Sequence, residues 1–369
     1  MRTLVISVLL TMVVAVAATA GEDDADEALI GLGDIPRTYS HYMSAEQASM
    51  CRANIATGGL ASYFFNPAAV SEVEGIAGQA TIRYNIKSRD YLPDGEEYLD
   101  ASEDGLLFSQ FVAVRTSGIF TLGFGYSNPS YRNLELTGKR MKDDELSSYQ
   151  REFNGSLRFF ELVAAARIGD RGQGGIGLAA GIVNLTEESR LRFGQTLSSA
   201  RLDGLSASYA LGFTFDVTER VTAAIGYRWS SEITVDGDYY ESTMEGESTT
   251  QPVTSAGVRY RPTDALTFHV GFSREGWSKV KSTLSGYSEE EGGDDWNQFG
   301  ESISNLALGG ELDLAGGRFT LRAGYSQELG ADIDNAIVPE NSIGLGGSLS
   351  FKQYVGHLAV VREQYAEGG

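Results

Sequence analysis

From about Gly75 onward, apolar and polar residues alternate with period two in one segment after another. Val221, Ala223, Ile225, Tyr227 and Trp229 alternate with Thr222, Gly226 and Arg228. Leu266, Phe268, Val270 and Phe272 alternate with Thr267, His269, Gly271 and Ser273, and Phe319, Leu321, Ala323 and Tyr325 with Thr320, Arg322, Gly324 and Ser326. The same pattern runs through Ile76–Ile86, Phe120–Tyr126, Leu205–Phe215 and Ile343–Leu349. Such alternation specifies strands with one apolar and one polar face. Two architectures use it. A soluble sandwich buries its apolar faces in a core, whereas a transmembrane barrel turns them to lipid. The segments reach the roughly 9–11 residues that a tilted membrane strand needs. Tyr84, Tyr126, Tyr227, Trp229, Tyr260 and Tyr325 lie near segment ends, as an interfacial girdle requires. The polar face is made of Gly, Ser, Thr and Arg, too small and too polar to pack on a second sheet. The expected fold is an all-β, antiparallel transmembrane β-barrel.

The connectors support this reading. Short links at Thr116–Gly118, Gly169–Gly174, Val217–Glu219, Pro262–Asp264, Ala315–Gly317 and Lys352–Gln353 alternate with long ones. The long ones are Arg89–Asp104, Asn128–Gln150, Glu187–Arg201, Asp236–Thr249, Ser282–Gly300 and Gly330–Asn341. Tight turns on one side and long loops on the other are the asymmetry of an outer-membrane barrel. Counted by these links, thirteen strands fit before Gly369. The last would be Tyr354–Glu363, with no closing strand and no C-terminal aromatic after it. A barrel of fewer strands, a truncated sequence and a misplaced strand are all open at this point.

The N-terminus reads as an address. Met1-Arg2 is followed by an apolar stretch from Leu4 to Ala18, and Ala18-Thr19-Ala20 is a small-residue cleavage site before the acidic Glu22-Asp23-Asp24. That is the layout of a secretory signal peptide over 1–20. Beyond it no long apolar run exists, so a helical membrane bundle is excluded. Cys51 has no intrachain partner for a disulfide. Fifty Asp and Glu against 29 Lys and Arg give a net charge of -21, which repels a phosphate backbone and excludes nucleic acid as a partner. Much of the acid falls in the long links, as solvated and mutually repelling loop tips. Asp332 and Asp334 lack a full calcium-ligand spacing, so no metal site and no cofactor are expected.

Before the first barrel strand stands Gly58-Gly59-Leu60-Ala61-Ser62-Tyr63-Phe64-Phe65-Asn66-Pro67-Ala68-Ala69. It resembles the Gly-rich, Asn-Pro-Ala signature of the long-chain fatty acid transporter (FadL-type) family. The likeness continues in Asp216–Thr222, in Ile225–Ser230, in Gly257–Thr267 with Trp277-Ser278-Lys279-Val280 after it, and in Phe319–Ser326 with Val338-Pro339. The resemblance implies a barrel of about 14 strands with an N-terminal hatch in its lumen, here 21–74, and the barrel itself in 75–369. It implies a bacterial outer-membrane location and passive uptake of long-chain fatty acids, aromatic hydrocarbons or similar hydrophobic compounds. Ligand would enter an apolar groove among the outer loops and leave sideways at a kink in the third strand. That strand would be Gly118–Ser127, with Gly123 and Gly125 as its weak points, since interior glycine permits a bulge or kink. The other use of these glycines is to relieve crowding in the lumen. Asn66, Pro67 and Ala68 would form the gate. Outer-membrane lipid and the barrel-assembly machinery are the implied partners, and a monomer is expected.

Parity places Arg83, Arg228, Arg259, Arg322 and His269 on the lumen face. One reading is that they attract a ligand carboxylate, for which the planar guanidinium is suited. The other is that they pair with lumen acids such as Asp216, Glu311 and Asp313, or with the hatch. No G-x-S-x-G or H-E-x-x-H motif accompanies His41, His269 and His357, so no enzyme is expected and no catalytic residue is named. An alternative function is a non-transporting barrel of the same type that docks proteins through its acidic loops.

Overall fold

The computed structural model describes residues 6–16, 44–91, 99–116, 118–142, 145–169, 173–193, 196–239, 242–249, 252–276, 282–285, 302–329, 339–351 and 353–365. Seven strands follow one another as antiparallel neighbours: β2 (Ile76–Tyr91), β3 (Leu99–Arg115), β4 (Phe120–Lys142), β5 (Glu145–Ile168), β6 (Gly174–Phe193), β7 (Thr196–Thr218) and β8 (Val221–Ser230). After β9 (Glu232–Tyr239) and β10 (Ser242–Thr249), the wall continues with β11 (Val253–Tyr260), which pairs back onto β8. It then runs through β12 (Leu266–Glu275), β14 (Ile303–Leu314), β15 (Phe319–Leu329), β16 (Pro339–Phe351) and β17 (Tyr354–Tyr365). Strands β9, β10 and β13 (Ser282–Ser285) prolong β8, β11 and β12: β9 pairs with the upper part of β7, and β10 pairs with both β9 and β13. The thirteen antiparallel strands counted from the links are therefore those of the wall.

The fourteenth place is filled by β1 (Ile6–Val16), which lies between β17 and β2 and is parallel to both. This is the segment read above as the core of a leader peptide. An apolar run of this length suits either role. Here it covers two edges whose unpaired N–H and C=O groups would each cost several kcal/mol in lipid, about the price of an unsatisfied amide.

The short links are turns or bends as expected, at 118–119, 219–220, 262–265 and 315–318 among the described residues. The long links need correction. They are largely not loops: the ladder of β2 and β3 runs out to Tyr91 and Leu99, that of β4 and β5 to Lys142 and Glu145, and that of β6 and β7 to Phe193 and Thr196. Asp236–Thr249 is the β9–β10 hairpin. Above the membrane both faces of a hairpin meet water, so the ladder continues without the alternation that marks a strand in sequence. The acidic stretches at Asp94, Glu96 and Glu97 and at Glu289–Asp295, and Asp332 and Asp334, lie outside the described residues.

Burial decides between sandwich and barrel. Leu162, Leu178, Leu345 and Phe351 are 67%, 56%, 60% and 65% exposed, and so are their equivalents around the wall. The inward parity carries Thr222, Gly226 and Arg228 on β8 and Thr267, His269 and Ser273 on β12, all buried. A water-soluble chain does not leave such an apolar belt uncovered. Lipid is its solvent. Stacked Tyr227, Trp229 and Tyr209, at centroid separations of 5.3 and 5.6 Å, form part of an aromatic rim on that outer face. No helix among the described residues is long and apolar enough to cross a membrane.

The lumen holds a plug, residues 44–74. It contains α1 (Ala45–Ser49), capped by the Ser44 hydroxyl, and two 3-10 helices, Ala53–Ala56 and Pro67–Glu72. The chain follows the inner wall, meeting β15–β17 first, then β8, β11, β12 and β14, and finally β4–β7. It fits because glycines face it. Gly344, Gly324 and Gly309 are register neighbours across β16, β15 and β14, as are Gly271 and Gly257 across β12 and β11, and Gly226, Gly212 and Gly177 across β8, β7 and β6. A methyl group at Gly344 would overlap the Ala48 carbonyl, at Gly324 the Met50 backbone, at Gly226 the Phe65 carbonyl, and at Gly177 the Pro67–Ala68 peptide. The glycines make a groove in which the plug backbone lies against the wall backbone.

Candidate functional site

The plug is fastened to the wall by buried polar contacts. Arg228 of β8 donates to the Phe64 carbonyl from Nε and Nη2, at 3.1 and 2.9 Å. Its Nη1 meets Glu161 of β5, which also accepts from the Ser208 hydroxyl of β7 at 3.1 Å. The guanidinium lies 3.9 Å from the centroid of the Phe64 ring. Beside it, Ser255 donates to the Phe65 carbonyl at 2.7 Å. Arg322 binds Glu311 at 2.7 Å and Glu46 of α1 at 3.2 Å. His269 contacts the same Glu311 at 2.6 Å and the Thr57 hydroxyl at 3.4 Å. At the turn side, Arg115 and Arg167 both donate to the Ser71 carbonyl, at 2.8 and 3.0 Å. Arg259 donates to Thr222 at 2.9 Å.

For Arg228, Arg322 and His269 these contacts are those of the pairing reading, with lumen acids and with the plug. Arg228, Arg322 and His269 do face the lumen, but acids of the protein and plug carbonyls already occupy them. A buried guanidinium that holds a carboxylate and two carbonyl contacts has little left for a ligand. Of the expected acidic partners, Glu311 is one; Asp216 and Asp313 instead accept from Thr222 and Thr320, each at 2.6 Å. Arg83 lies in β2 opposite Leu107, and its side chain is outside the described residues. The sequence reading missed Glu161, yet a signal was there: an acid inside Phe159-Phe160-Glu161-Leu162-Val163 has an apolar strand on both sides. No group of His, Cys, Asp and Glu suited to a metal occurs among the described residues.

Asn66, Pro67 and Ala68 are buried at the seat of the second 3-10 helix. The Asn66 side chain accepts from the Ala68 amide at 3.2 Å, and Pro67 occupies the first helical position. Their neighbours are Gly212 and Gly177 of the wall.

The third strand of the antiparallel wall, β4, is irregular, but not at the expected glycines. Gly123 and Gly125 pair regularly with β3 and β5. A side chain at either would strike Phe111, whose ring stacks on Tyr63 of the plug at 4.0 Å. The lumen has no room for a side chain at either position. The break falls higher. Between Ser127 and Ser130, β4 advances three residues while β5 advances two, from Phe159 to Leu157, so one extra residue is accommodated at Asn128-Pro129. Proline has no N–H for a ladder and is tolerated at such a bulge. On the other side, pairing with β3 stops at Gln110↔Tyr126 and resumes at Asp104↔Asn133. The β3–β4 register is thus irregular between these two pairs, which makes a seam in the wall. Ser127, fully buried, lies at its lower end, beside Tyr63 and Glu161.

Residues 170–342 match the family model described as outer membrane protein transport protein (OMPP1/FadL/TodX). Solved structures of similar fold include the Pseudomonas putida toluene transporter TodX, with a TM-score of 0.62 at 11% identity over 85% of this chain and 90% of that one. A Pseudomonas aeruginosa FadL homologue gives 0.61 at 14%, over 84% and 86%. The Ralstonia pickettii toluene transporter TbuX gives 0.58 at 14%, over 82% and 89%. No curated protein matches the chain.

Proposed function

We propose that the chain is a FadL/TodX-type outer-membrane transport protein and that it takes up hydrophobic compounds passively. Long-chain fatty acids and aromatic hydrocarbons are the candidate classes; relatives of the same fold are described as toluene transporters. The observation that carries the reading is the seam between β3 and β4 beside a filled lumen. A seated plug leaves no wide aqueous channel, so a porin-like path is unsuited. An interrupted ladder gives an apolar molecule a way from the plug into the bilayer without crossing water again. In this reading Asn66, Pro67 and Ala68 are the gate, because they set the plug segment against β6 and β7. A signal peptide ending near Ala20, a monomeric state and delivery by the barrel-assembly machinery belong to the same reading.

The test is uptake by cells that lack other such transporters, using a labelled fatty acid and toluene. Deleting Pro129 removes the extra residue and lets β4 pair straight through. Uptake should fall to background while heat-modifiable gel mobility, the sign of a folded barrel, persists. Replacing Asn66 by Ala should also reduce uptake in a folded barrel. Full uptake after Pro129 deletion would exclude the seam as the exit.

A further inference from the structure

Two rings cover the lumen side of the seam at its lower end. Phe111 stands on β3 one residue below Gln110, above which the β3–β4 register is irregular. Its ring is 2% exposed and lies on the Tyr63 ring of the plug, with centroids 4.0 Å apart and planes inclined by 20°. Behind it the wall offers no side chain, only Gly123 and Gly125 of β4. Phe111 belongs to the buried apolar cluster that also holds Phe64, Leu157, Phe159, Val183 and Leu185. An apolar way through the lumen thus ends at this ring pair, where the seam begins. The two rings are not held alike. Tyr63 is braced at both ends, its hydroxyl by Ser127 and its ring edge-on by Phe64, which lies under the Arg228 guanidinium. Among the described residues the stack on Tyr63 is the one ring contact that Phe111 makes. Two residues up the same face of β3, Ser109 is half-buried, so the lumen is less tightly filled above the ring than around it. Rotation about χ1 to another staggered position carries the Phe111 ring off Tyr63.

We infer that Phe111 is the shutter of the seam: with its ring on Tyr63 the way from the plug to the bilayer is shut, and a hydrophobic molecule passes when the ring swings aside. The passing molecule takes the place of the ring against Tyr63, so apolar contact is exchanged and not lost. Tyr63, fixed on the plug, is the seat against which the shutter closes. The size of the side chain at position 111 then sets the rate at which a molecule leaves.

This inference rests on the transport reading and its seam, and adds the residue that controls it. The test uses cells that carry the full-length chain and lack other such transporters, with toluene and a labelled fatty acid as probes. Phe111→Ala should raise the maximal uptake rate about two- to tenfold, the worth of one stacked ring pair. The half-saturating concentration should stay the same, because entry from outside is untouched. Phe111→Trp should lower the rate. The gain in Phe111→Ala should vanish when Pro129 is deleted as well, since the shutter opens onto the seam. Heat-modifiable mobility reports folding. Phe111→Leu keeps apolar volume without a ring and takes the place of the alanine variant where that does not fold. A folded Phe111→Ala or Phe111→Leu barrel with unchanged or reduced uptake would overturn the shutter, and so would a gain that survives Pro129 deletion. Where Pro129 deletion abolishes uptake but position 111 makes no difference, the seam stands and the shutter alone falls. Where the wild type takes up neither probe, the transport reading falls and the shutter with it.

Discussion

Arg228, in the middle of a wall strand, grips the Phe64 carbonyl of the plug with two nitrogens while its third meets Glu161. One side chain thus joins the plug, β8 and β5. Both ionic groups are almost wholly buried. Removing either partner alone leaves an uncompensated charge, whereas removing both does not.

Arg228→Ala should therefore cost about 3–5 kcal/mol of plug or barrel stability, because Glu161 is stranded. Arg228→Met with Glu161→Gln should recover a good part of this. Thermal loss of the heat-modifiable band in detergent reads both.

The glycine groove predicts position-specific intolerance. Gly226→Ala places a methyl on the Phe65 carbonyl, and Gly324→Ala on the Met50 backbone. Backbone cannot step aside as a flexible side chain does, so overpacking of about 1–3 kcal/mol should loosen the plug. Single-channel conductance in planar bilayers should rise in both variants. Gly356→Ala, with nothing within 4 Å, is the control and should behave as wild type.

Plug stability should fall with rising pH through one identifiable group. Burial lifts the Glu72 carboxyl above its ordinary 4.5, against the attraction of Arg259. The folded form then holds a proton that the unfolded chain has already lost. The contribution is complete below the unfolded value, about 4.5, and disappears as pH rises through the higher folded value. Glu72→Gln should flatten this slope in melting curves taken from pH 4 to pH 8. An unchanged slope would assign it to another group.

The N-terminal segment makes a prediction by mass. If the leader is cleaved after Ala20, the protein isolated from outer membranes begins at Gly21, and β17 must find β2 directly. A mature chain that begins at Met1 instead retains β1 between them. Intact-mass spectrometry distinguishes the two.

The period-two pattern of segments such as Val221–Ser230 was enough to determine an antiparallel barrel, because a tilted strand in lipid must turn alternate residues outward. The short turns were legible for the same reason, as were the thirteen wall strands. Asn66-Pro67 announced its own local structure, a side-chain cap followed by a residue already in helical φ. Parity also put Arg228, His269 and Arg322 in the lumen. It could not say what they touch there, since Glu161 and Glu46 lie 67 and 276 positions away in the chain. The upper hairpins were hidden because backbone pairing needs no apolar face once both sides meet water. The third-strand break was hidden because one extra residue has meaning only against the register of two neighbours, β3 and β5. Alternation is a property of each strand by itself and can be read along the chain. Register and the grip of Arg228 on the plug are relations between distant segments, and only the wall around its plug decides them.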